Sequence, residues 1–306
     1  MSGKGVQTEG MKPLEGKVAI VGGASRGAGR GIAVALGEAG ATVYAAARTS
    51  RDGPPPPDNM PGTVEKTADQ VSARGGRGIA VRADLSDEAQ VAALFRRVED
   101  EQGPVDVVVN AAWYRNALEQ WGKPFWELSQ EHWRDMSKIV DSYWLMGVYA
   151  ARLMGRQKHG LIAFVTDHAI PDPSAYYGQM MWDVGHHAMN RLVLGIGAEL
   201  KTSKVAVVGL NPGFMRTERV VRHIRAAGNE AMKEFRFDLS ETPEYAGRGA
   251  TALAADPEVM KKSGQLLWAA DLAKEYGFTD VDGRYVPRFD PQAPLGEVPE
   301  EWLEMP

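Results

Sequence analysis

The sequence predicts an α/β protein built on a doubly wound parallel sheet, and three features predict it. Short apolar runs alternate with longer stretches of helical periodicity over nearly the whole chain. The runs are continuously apolar, which is typical of strands buried on both faces of a sheet. A glycine-rich turn, Gly22 to Gly29, separates the first run from the first helical stretch.

Seven apolar runs are the predicted strands: residues 17–21, 42–46, 78–82, 105–109, 161–165, 205–209 and 265–269. Between the third and fourth runs, Ser86 with Asp87 and Glu88 predicts an N-cap and a charged first turn, followed by a helix through Glu99. On a later helix, apolar side chains four residues apart predict the face that packs on the sheet. These side chains are Val184, Ala188, Leu192 and Ile196.

Two segments interrupt the alternation. Residues 51–62 contain four consecutive prolines and predict a stiff, irregular loop after the second strand. Residues 216–242 form a charged, helix-prone insertion that predicts a helical lid over the substrate side. No internal repeat and no linker divides the 306 residues. We therefore expect one domain, residues 1–306.

Composition narrows the possible partners. The 35 basic and 40 acidic residues give a formal net charge of -5, which provides no electrostatic basis for binding nucleic acid or an anionic membrane. There is no cysteine, so disulfides and thiolate chemistry are excluded. The start of the chain is polar and unlike a secretory signal. No apolar run is long enough to cross a bilayer. We expect a cytoplasmic protein that acts on a small molecule.

The glycine-rich turn predicts a dinucleotide site and hence a Rossmann-type sheet. Glycine is required where the backbone turns tightly and where it approaches a pyrophosphate. The helix that follows offers unpaired N–H groups to an anion. The turn lies at the end of the first predicted strand and at the start of a helix, which is the context that such a site requires.

The spacing Gly23-x-x-x-Gly27-x-Gly29 resembles that of the short-chain dehydrogenase/reductase family. Asp84-Leu85 after the third strand, Asn110-Ala111-Ala112-Trp113 after the fourth, and the segment from Asn211 through Pro212-Gly213 to Thr217 are similar to later landmarks of that family. The resemblance covers about residues 14–283 and is greatest to a bacterial branch related to dehydrogenase/reductase member 1. It implies that the following residues bind the cofactor: Gly23, Ser25, Arg26, Gly27, Gly29, Arg48, Asp84, Leu85, Asn110, Ala111, Pro212, Gly213 and Thr217.

Charge at the end of the second strand favours NADP(H) over NAD(H). Family members that prefer NAD place a carboxylate there for the ribose 2′-hydroxyl. This chain has Ala47-Arg48-Thr49 and no acid until Asp52, and Arg26 lies in the glycine turn. Two guanidinium groups near the 2′ position favour a 2′-phosphate.

The catalytic positions depart from the family. The resemblance implies a tyrosine and, four residues later, a lysine that lowers the tyrosine pKa. When the helix is aligned on Asn190-Arg191-Leu192, these positions fall on Trp182 and His186. The family's serine position falls on Asp167, and its helper asparagine has no match. In a competing alignment, Tyr177 supplies the phenol, with Tyr176 beside it.

Three interpretations follow from these changes. The protein is an oxidoreductase in which His186, oriented or charged by Asp167, or one of the two tyrosines replaces the usual acid/base group. Alternatively, Asp167 and His186 perform non-redox chemistry such as dehydration, isomerisation or cyclisation. In the third interpretation the site has decayed and the protein only binds a nucleotide. The cofactor motifs favour the first. Because His186 and His187 are adjacent, they point in different directions on a helix, and no metal site is expected.

Aromatic residues predict a substrate pocket for a bulky apolar or aromatic carbonyl or alcohol compound. The expected lining residues are Trp113, Tyr114, Trp121, Phe125, Trp126, Tyr143, Trp144 and Trp182. The predicted lid carries cations that either attract an anionic substrate or solvate a helix face: Arg216, Arg219, Arg222, His223 and Arg225. The resemblance also implies a homo-oligomer, a dimer or tetramer assembled through two long helices.

Overall fold

A computed structural model describes residues 12–113, 123–167, 176, 179–227 and 239–289. Seven parallel strands form one sheet in the order β3-β2-β1-β4-β5-β6-β7. The strands are β1 Val18–Gly22, β2 Thr42–Ala47, β3 Arg77–Arg82, β4 Val107–Asn110, β5 Gly160–Val165, β6 Val205–Asn211 and β7 Leu266–Trp268. This arrangement confirms the doubly wound parallel sheet, and the expected strands differ from these by one or two residues at some ends.

Helices connect the strands. They are α1 Gly27–Glu38, α2 Val64–Ala73, α3 Glu88–Gln102, α4 Gln130–Gln157, α5 Met180–Leu200, α6 Glu218–Ala227, α7 Pro243–Ala255 and α8 Ala269–Tyr276. Short 3-10 turns occupy Phe125–Glu127, Lys201–Ser203 and Val259–Lys262. No helix in the described part of the chain is long and apolar enough to cross a membrane.

The core lies in two layers, one on each face of the sheet. On one face, Ile32 and Leu36 of α1 pack with Leu253 of α7 against buried strand residues. On the other face, Phe95 of α3 and Met146 of α4 belong to a second buried cluster, together with residues of α5. Burial on both faces explains why the strand sequences are continuously apolar.

The sequence-based predictions of two local features, a helix cap and a buried helix face, were wrong. The N-cap of α3 is Asp87, whose carboxylate accepts from the Gln90 N–H (3.2 Å), whereas the Ser86 hydroxyl donates to Asp84 (2.8 Å). The buried face of α5 is also one position later than expected. It consists of Gly185, Met189, Val193 and Gly197, with His186 beside them. Leu192 and Ile196 of the expected stripe are only partly buried against the core.

The proline-rich loop and the expected lid lie near each other. The loop runs from the end of β2 to Thr63, whose hydroxyl caps α2 by accepting from the Lys66 N–H (3.2 Å). The described part of the lid is α6 and the approach to α7, where Thr242 is the N-cap and Pro243 opens the helix. Residues 228–238 lie outside the described residues.

Candidate active site

A cavity of about 270 Å³ lies at the carboxyl edge of the sheet, where the strand order reverses between β1 and β4. Ligands of open α/β sheets bind at such a switch point. The cavity is lined by Gly23, Ser25, Arg26, Gly27, Ala28, Ala47, Arg48, Thr49, Ala83, Leu85, Ala111, Ala112, Trp113, Tyr143, Val165, Thr166, Asp167, His186, Pro212, Thr217, Glu218 and Arg219.

The glycine turn forms one wall of this cavity, and its geometry requires glycine. Gly23 has a φ of 73°, and a Cβ there would lie 2.6 Å from the Ala111 carbonyl group. A Cβ on Gly29 would lie 2.4 Å from the Gly23 carbonyl oxygen, so Gly29 holds the turn against α1. The turn is thus a close approach of backbone segments that leaves no room for a side chain at Gly23 or Gly29.

The first N–H of α1 already binds an oxyanion of this chain. The N–H of Gly27 donates to Oε2 of Glu218 (2.9 Å), and the same carboxylate pairs with Arg30. A helix N-terminus attracts anions, and in this structure the Glu218 carboxylate occupies the anion position. The glycine turn and this anion position together fit a dinucleotide pyrophosphate, as the sequence proposed for Gly23, Ser25, Gly27 and Gly29.

Arg26 and Arg48 lie where the adenosine ribose is expected, beside the end of β2. Both line the cavity, but the Arg26 guanidinium also donates hydrogen bonds to other residues of the chain. Its Nε donates to the Pro61 carbonyl (2.8 Å), and its Nη2 donates to Thr49 Oγ1 (3.2 Å) and to the carbonyls of Met60 and Gly62. Arg26 therefore also fixes the proline-rich loop against the glycine turn. Arg48 is exposed at the cavity rim.

Some residues after β3 and β4 line the cavity, and others support the backbone around it. Leu85 and Ala111 line the cavity, whereas Asp84 lines an adjoining larger cavity. Asn110 is fully buried and supports the turn, because its Oδ1 accepts from the Ala112 N–H (3.1 Å) and its Nδ2 donates to Ser142 (3.3 Å). Asn110 thus fixes the end of β4 to α4.

The segment after β6 carries the remaining expected cofactor residues. Pro212 and Thr217 line the cavity. Gly213 has a φ of 78°, and its N–H donates to Asn211 (3.0 Å), so it shapes the turn. The Thr217 hydroxyl accepts from the Val220 N–H (3.3 Å) at the start of α6. Thr217 therefore joins the cavity wall to the start of α6.

His186 is the buried imidazole of the cavity, with 6% of its surface exposed. Its ring stacks on Trp113 (centroids 4.9 Å apart) and meets Trp182 edge-on (4.5 Å). Nδ1 lies 2.8 Å from the Trp182 carbonyl, which only accepts, so Nδ1 carries a proton. In the neutral ring Nε2 is therefore the basic nitrogen. Trp182 contacts His186 and is not among the residues that line the cavity.

Thr166 and Asp167 directly follow β5 and line the same cavity. The Thr166 hydroxyl is hydrogen-bonded to Asn190 Oδ1 (2.7 Å), and Asn190 Nδ2 donates to the Asp167 carbonyl (3.2 Å). These bonds join the end of β5 to α5, the helix that carries His186. They fix the position of the Asp167 backbone relative to α5.

Tyr143 of α4 places a phenol at the cavity wall. Its hydroxyl donates to the Val165 carbonyl (2.5 Å), and its ring packs edge-on against Phe164. Burial raises the pKa of the Tyr143 phenol far above its ordinary value. Because the phenolate is strongly disfavoured, Tyr143 shapes the cavity as a neutral side chain.

The expected aromatic pocket is wrong in several of its members. Trp113 and Tyr143 line the cavity, but Phe125, Trp126 and Trp144 are more than half exposed and lie on the surface around α4. Phe125 and Trp126 lie in the 3-10 turn before α4, and Trp144 is not among the buried residues of that helix. Tyr114, Trp121 and Tyr177 lie outside the described residues, and Tyr176 is exposed.

The sequence missed the contacts between α6 and the loop after β2. Arg219 pairs with Asp58 (2.8 Å), and Glu218 reaches the glycine turn. Both α6 residues line the cavity. Arg216, grouped with the lid cations, is instead buried, donates to the Ser240 carbonyl (2.6 Å) and lies 3.7 Å from Asp280. The charged composition of residues 216–242 was the available signal, but it did not identify which charges turn inward.

No group of three or more metal-ligating side chains occurs among the residues that the structure describes. The site is therefore built from a glycine turn, arginines at one end and an imidazole between two indoles at the other. An all-parallel sheet with a glycine turn at its switch point defines the Rossmann-type α/β class.

Comparison with known proteins specifies the family. The profile described as short chain dehydrogenase matches residues 17–227. Dehydrogenase/reductase SDR family member 1 of Mus musculus is 36% identical over 283 residues, which cover 90% of this chain and 86% of the mouse protein. The chain belongs to the short-chain dehydrogenase/reductase family, an oxidoreductase family that uses nicotinamide cofactors.

Solved structures confirm the fold. A short chain dehydrogenase of Mycobacterium thermoresistibile has a TM-score of 0.75 at 22% identity, covering 94% of this chain and 98% of that one. YwfH, described as an NADPH dependent reductase involved in bacilysin biosynthesis, has a TM-score of 0.65 at 22% identity, covering 83% of this chain and 96% of its own.

Proposed function

We propose that this protein is an NADP(H)-dependent oxidoreductase with an atypical acid/base site, acting on a bulky apolar or aromatic carbonyl or alcohol compound. The observation that carries the proposal is the position of His186. It places a titratable imidazole in the cavity that the glycine turn and Asp167 also line. Family membership supports the reaction class, and the residues at the cavity support the details.

The proposed chemistry requires one proton and one hydride for each carbonyl reduced. A bound nicotinamide dinucleotide would supply or accept the hydride. His186 would donate the proton from Nε2 to the carbonyl oxygen in reduction and take it back in oxidation. The hydrogen bond from Nδ1 to the Trp182 carbonyl would hold the ring in place through this exchange. Asp167, at the same cavity, would favour the protonated ring.

Apolar groups at the reacting end support a bulky, uncharged substrate. Trp113, Tyr143 and Val165 line the cavity near His186, and Tyr143 is neutral. Such a wall offers area to an aromatic or aliphatic group and few polar partners. The aromatic assignment depends mainly on Trp113, because Phe125, Trp126 and Trp144 lie on the surface.

Positive charge beside the end of β2 supports the preference for NADP(H). Ala47 ends β2, and Arg48 and Thr49 follow it at the cavity wall. Arg26 lines the same region from the glycine turn. These groups provide cations and a hydroxyl where an NAD-specific site would have a carboxylate for the ribose. A 2′-phosphate would gain charge-assisted hydrogen bonds there.

Titration of the protein with NADPH and NADH tests this proposal. We expect NADPH to bind at least about tenfold more tightly, which corresponds to about 1.4 kcal/mol. Arg48→Asp should weaken NADPH binding and leave NADH binding unchanged, because only NADPH carries the 2′-phosphate. Fluorescence or calorimetry measures both dissociation constants. Equal affinities for the two nucleotides, or binding of neither, would contradict the proposal.

Exposed apolar side chains on the two long helices support a homo-oligomer. Trp144 of α4 and Leu194 of α5 are about half exposed, at 53% and 48%. Large apolar side chains on neighbouring helices favour burial against another chain. We propose a dimer or tetramer formed through these helices. The cytoplasmic location stays a prediction of the sequence.

A further inference from the structure

Three guanidinium groups meet where the cavity at the switch point adjoins a second, larger cavity beside the proline-rich loop. Arg26, Arg48 and Arg219 line both cavities. Arg26 belongs to the glycine turn, Arg48 follows β2 and Arg219 lies in the first turn of α6. Three segments that are distant in sequence therefore contribute cations to one boundary.

The mutual effect of these charges is visible in Arg26. Burial lowers the pKa of the Arg26 guanidinium, Asp58 raises it, and Arg219 and Arg48 lower it further. Neighbouring like charges are unfavourable unless an anion lies among them. Asp58 is the acid in this group that pairs with Arg219 (2.8 Å). Glu218 also raises the pKa of Arg26, but its carboxylate pairs with Arg30, so Asp58 is the carboxylate that pairs with one of the three arginines.

Arg219 has unused hydrogen-bonding capacity in a buried position. Its Nη2 binds Asp58, while its Nε is buried and has no acceptor among the described residues. A buried donor without an acceptor is costly, and a ligand oxygen is one way to satisfy it. The side chain as a whole is 24% exposed. It is thus accessible to a ligand in the cavity that it lines.

We propose that Arg219 is a specificity-determining residue for NADP(H), which binds the 2′-phosphate when the cofactor is present, and that Asp58 is its internal competitor. This inference depends on the proposed NADP(H) function. It adds a residue of α6 to a cation site that the sequence assigned to Arg26 and Arg48 alone. A phosphate offers three oxygens to guanidinium donors, so it can replace the Asp58 carboxylate and reach the other arginines as well.

The charge balance supports this exchange. Before binding, Asp58 compensates Arg219 and its carboxyl pKa is lowered: burial raises that pKa, but the hydrogen bonds from Arg219 and from the Met60 N–H outweigh it. Asp58 therefore remains ionised near neutral pH and holds Arg219. A 2′-phosphate brings more negative charge than one carboxylate. NADH lacks that group and leaves the Arg219–Asp58 pair intact.

Arg222 provides a matched control on the same helix. It contacts the same loop, since its Nη1 donates to the Asp58 carbonyl (2.9 Å) and lies 3.2 Å from the Met60 sulfur. It is exposed and lines neither cavity. Arg222→Gln removes the same charge as Arg219→Gln. The two variants therefore separate direct contact with the phosphate from a general loss of positive charge.

The experiment measures dissociation constants for NADPH and NADH by fluorescence titration, without substrate, for wild type, Arg219→Gln, Arg219→Lys, Arg222→Gln, Asp58→Asn and the double variant Asp58→Asn/Arg219→Gln. We expect Arg219→Gln to weaken NADPH binding about tenfold, the effect of one charge-assisted contact, and NADH binding less than about twofold. Arg219→Lys should recover part of the loss. Arg222→Gln should change neither constant by more than about twofold.

The Asp58 variants test the competition. Asp58→Asn should tighten NADPH binding in wild type and have no effect in the Arg219→Gln background. Equal tightening in both backgrounds would show a general charge effect and overturn the inference. So would Arg219→Gln binding NADPH as wild type does, or Arg222→Gln matching Arg219→Gln. If wild type prefers NADPH and Arg219→Gln leaves both dissociation constants unchanged, only this inference is refuted. A wild-type protein without the preference refutes the proposed function as well.

Discussion

His186 is the residue on which the proposed chemistry depends. Two indoles, Trp113 and Trp182, contact its ring, and the Trp182 carbonyl fixes its Nδ1. Such an arrangement limits rotation of the ring, and the proposed chemistry uses Nε2 for proton exchange. Histidine is the side chain that most often transfers a proton in general acid–base catalysis.

Replacing His186 should separate its role from that of its neighbour. We expect His186→Ala to lower kcat/KM by about 10²-fold or more, and to remove a titration in the near-neutral range from the pH–rate profile. His187→Ala is the matched control. Its Nδ1 also lies near the carbonyl four residues earlier (2.9 Å from Asp183 O), but the side chain is 39% exposed and does not line the cavity. Its kinetics should resemble those of wild type.

The competing alignment predicts a different outcome. If Tyr177 supplies the proton, Tyr177→Phe abolishes activity and His186→Ala leaves it intact. That pair of results would contradict the assignment of His186. Comparing the pH profiles of both variants distinguishes loss of a proton donor from a change in packing around Trp182.

At the residue scale, the sequence predicted where side chains lie better than which hydrogen bonds they form. The helical spacing placed Trp182 and His186 on one face of α5, and their rings are in contact. Hydrogen bonding could not be read from spacing, because it depends on segments brought together by the fold. Asn110 illustrates this limit, since its partner Ser142 lies on α4. Arg26 is a second case: its Nε and Nη2 bind the proline-rich loop as well as lining the cavity.

At the scale of elements, α6 joins the glycine turn to the proline-rich loop. Glu218 reaches the first N–H of α1, and Arg219 reaches the loop after β2. A pyrophosphate at the glycine turn would compete with the Glu218 carboxylate for the Gly27 N–H. We therefore expect nucleotide binding to change the position of the first turn of α6. The sequence predicts a lid in this segment, which stays a prediction, and the contacts of α6 could not be derived from the sequence because they depend on the folded chain.

Packing of α1 on α7 gives a direct test of how the glycine turn is supported. Gly31 lies in α1 where a Cβ would be 2.3 Å from the Pro243 backbone. Because the neighbour is backbone at the start of a helix, it cannot rotate away. We expect Gly31→Ala to destabilise the fold by about 2–3 kcal/mol through overpacking. Urea unfolding, followed by circular dichroism, measures the change.

Gly195 of α5 is the control for helix propensity. A Cβ there meets nothing within 4 Å. Gly195→Ala should raise the free energy of unfolding by about 0.5–1 kcal/mol, since alanine favours a helix and loses less backbone entropy on folding. If Gly31→Ala were as stable as Gly195→Ala, the close approach of α1 to Pro243 would be wrong.

At the scale of the whole molecule, the fold was largely predictable from the sequence. Continuous apolar runs and the glycine turn depend on local composition, so the seven strands and their parallel arrangement were predicted. The substrate pocket was predicted less well. Aromatic residues pack in cores, on surfaces and at interfaces alike, and composition does not distinguish these sites. Phe125 and Trp126 were therefore assigned to a cavity although they are exposed.

The central claim is that this altered site still performs redox chemistry with NADP(H). The most direct measurement follows NADPH consumption by absorbance with a panel of aromatic and aliphatic aldehydes and ketones, together with identification of the product. We expect wild type to form one alcohol for each NADPH oxidised, His186→Ala to be slower by about 10²-fold, and both to bind NADPH equally. Tight NADPH binding with no oxidation by any carbonyl compound, and no reduction of NADP⁺ by the matching alcohols, would contradict it.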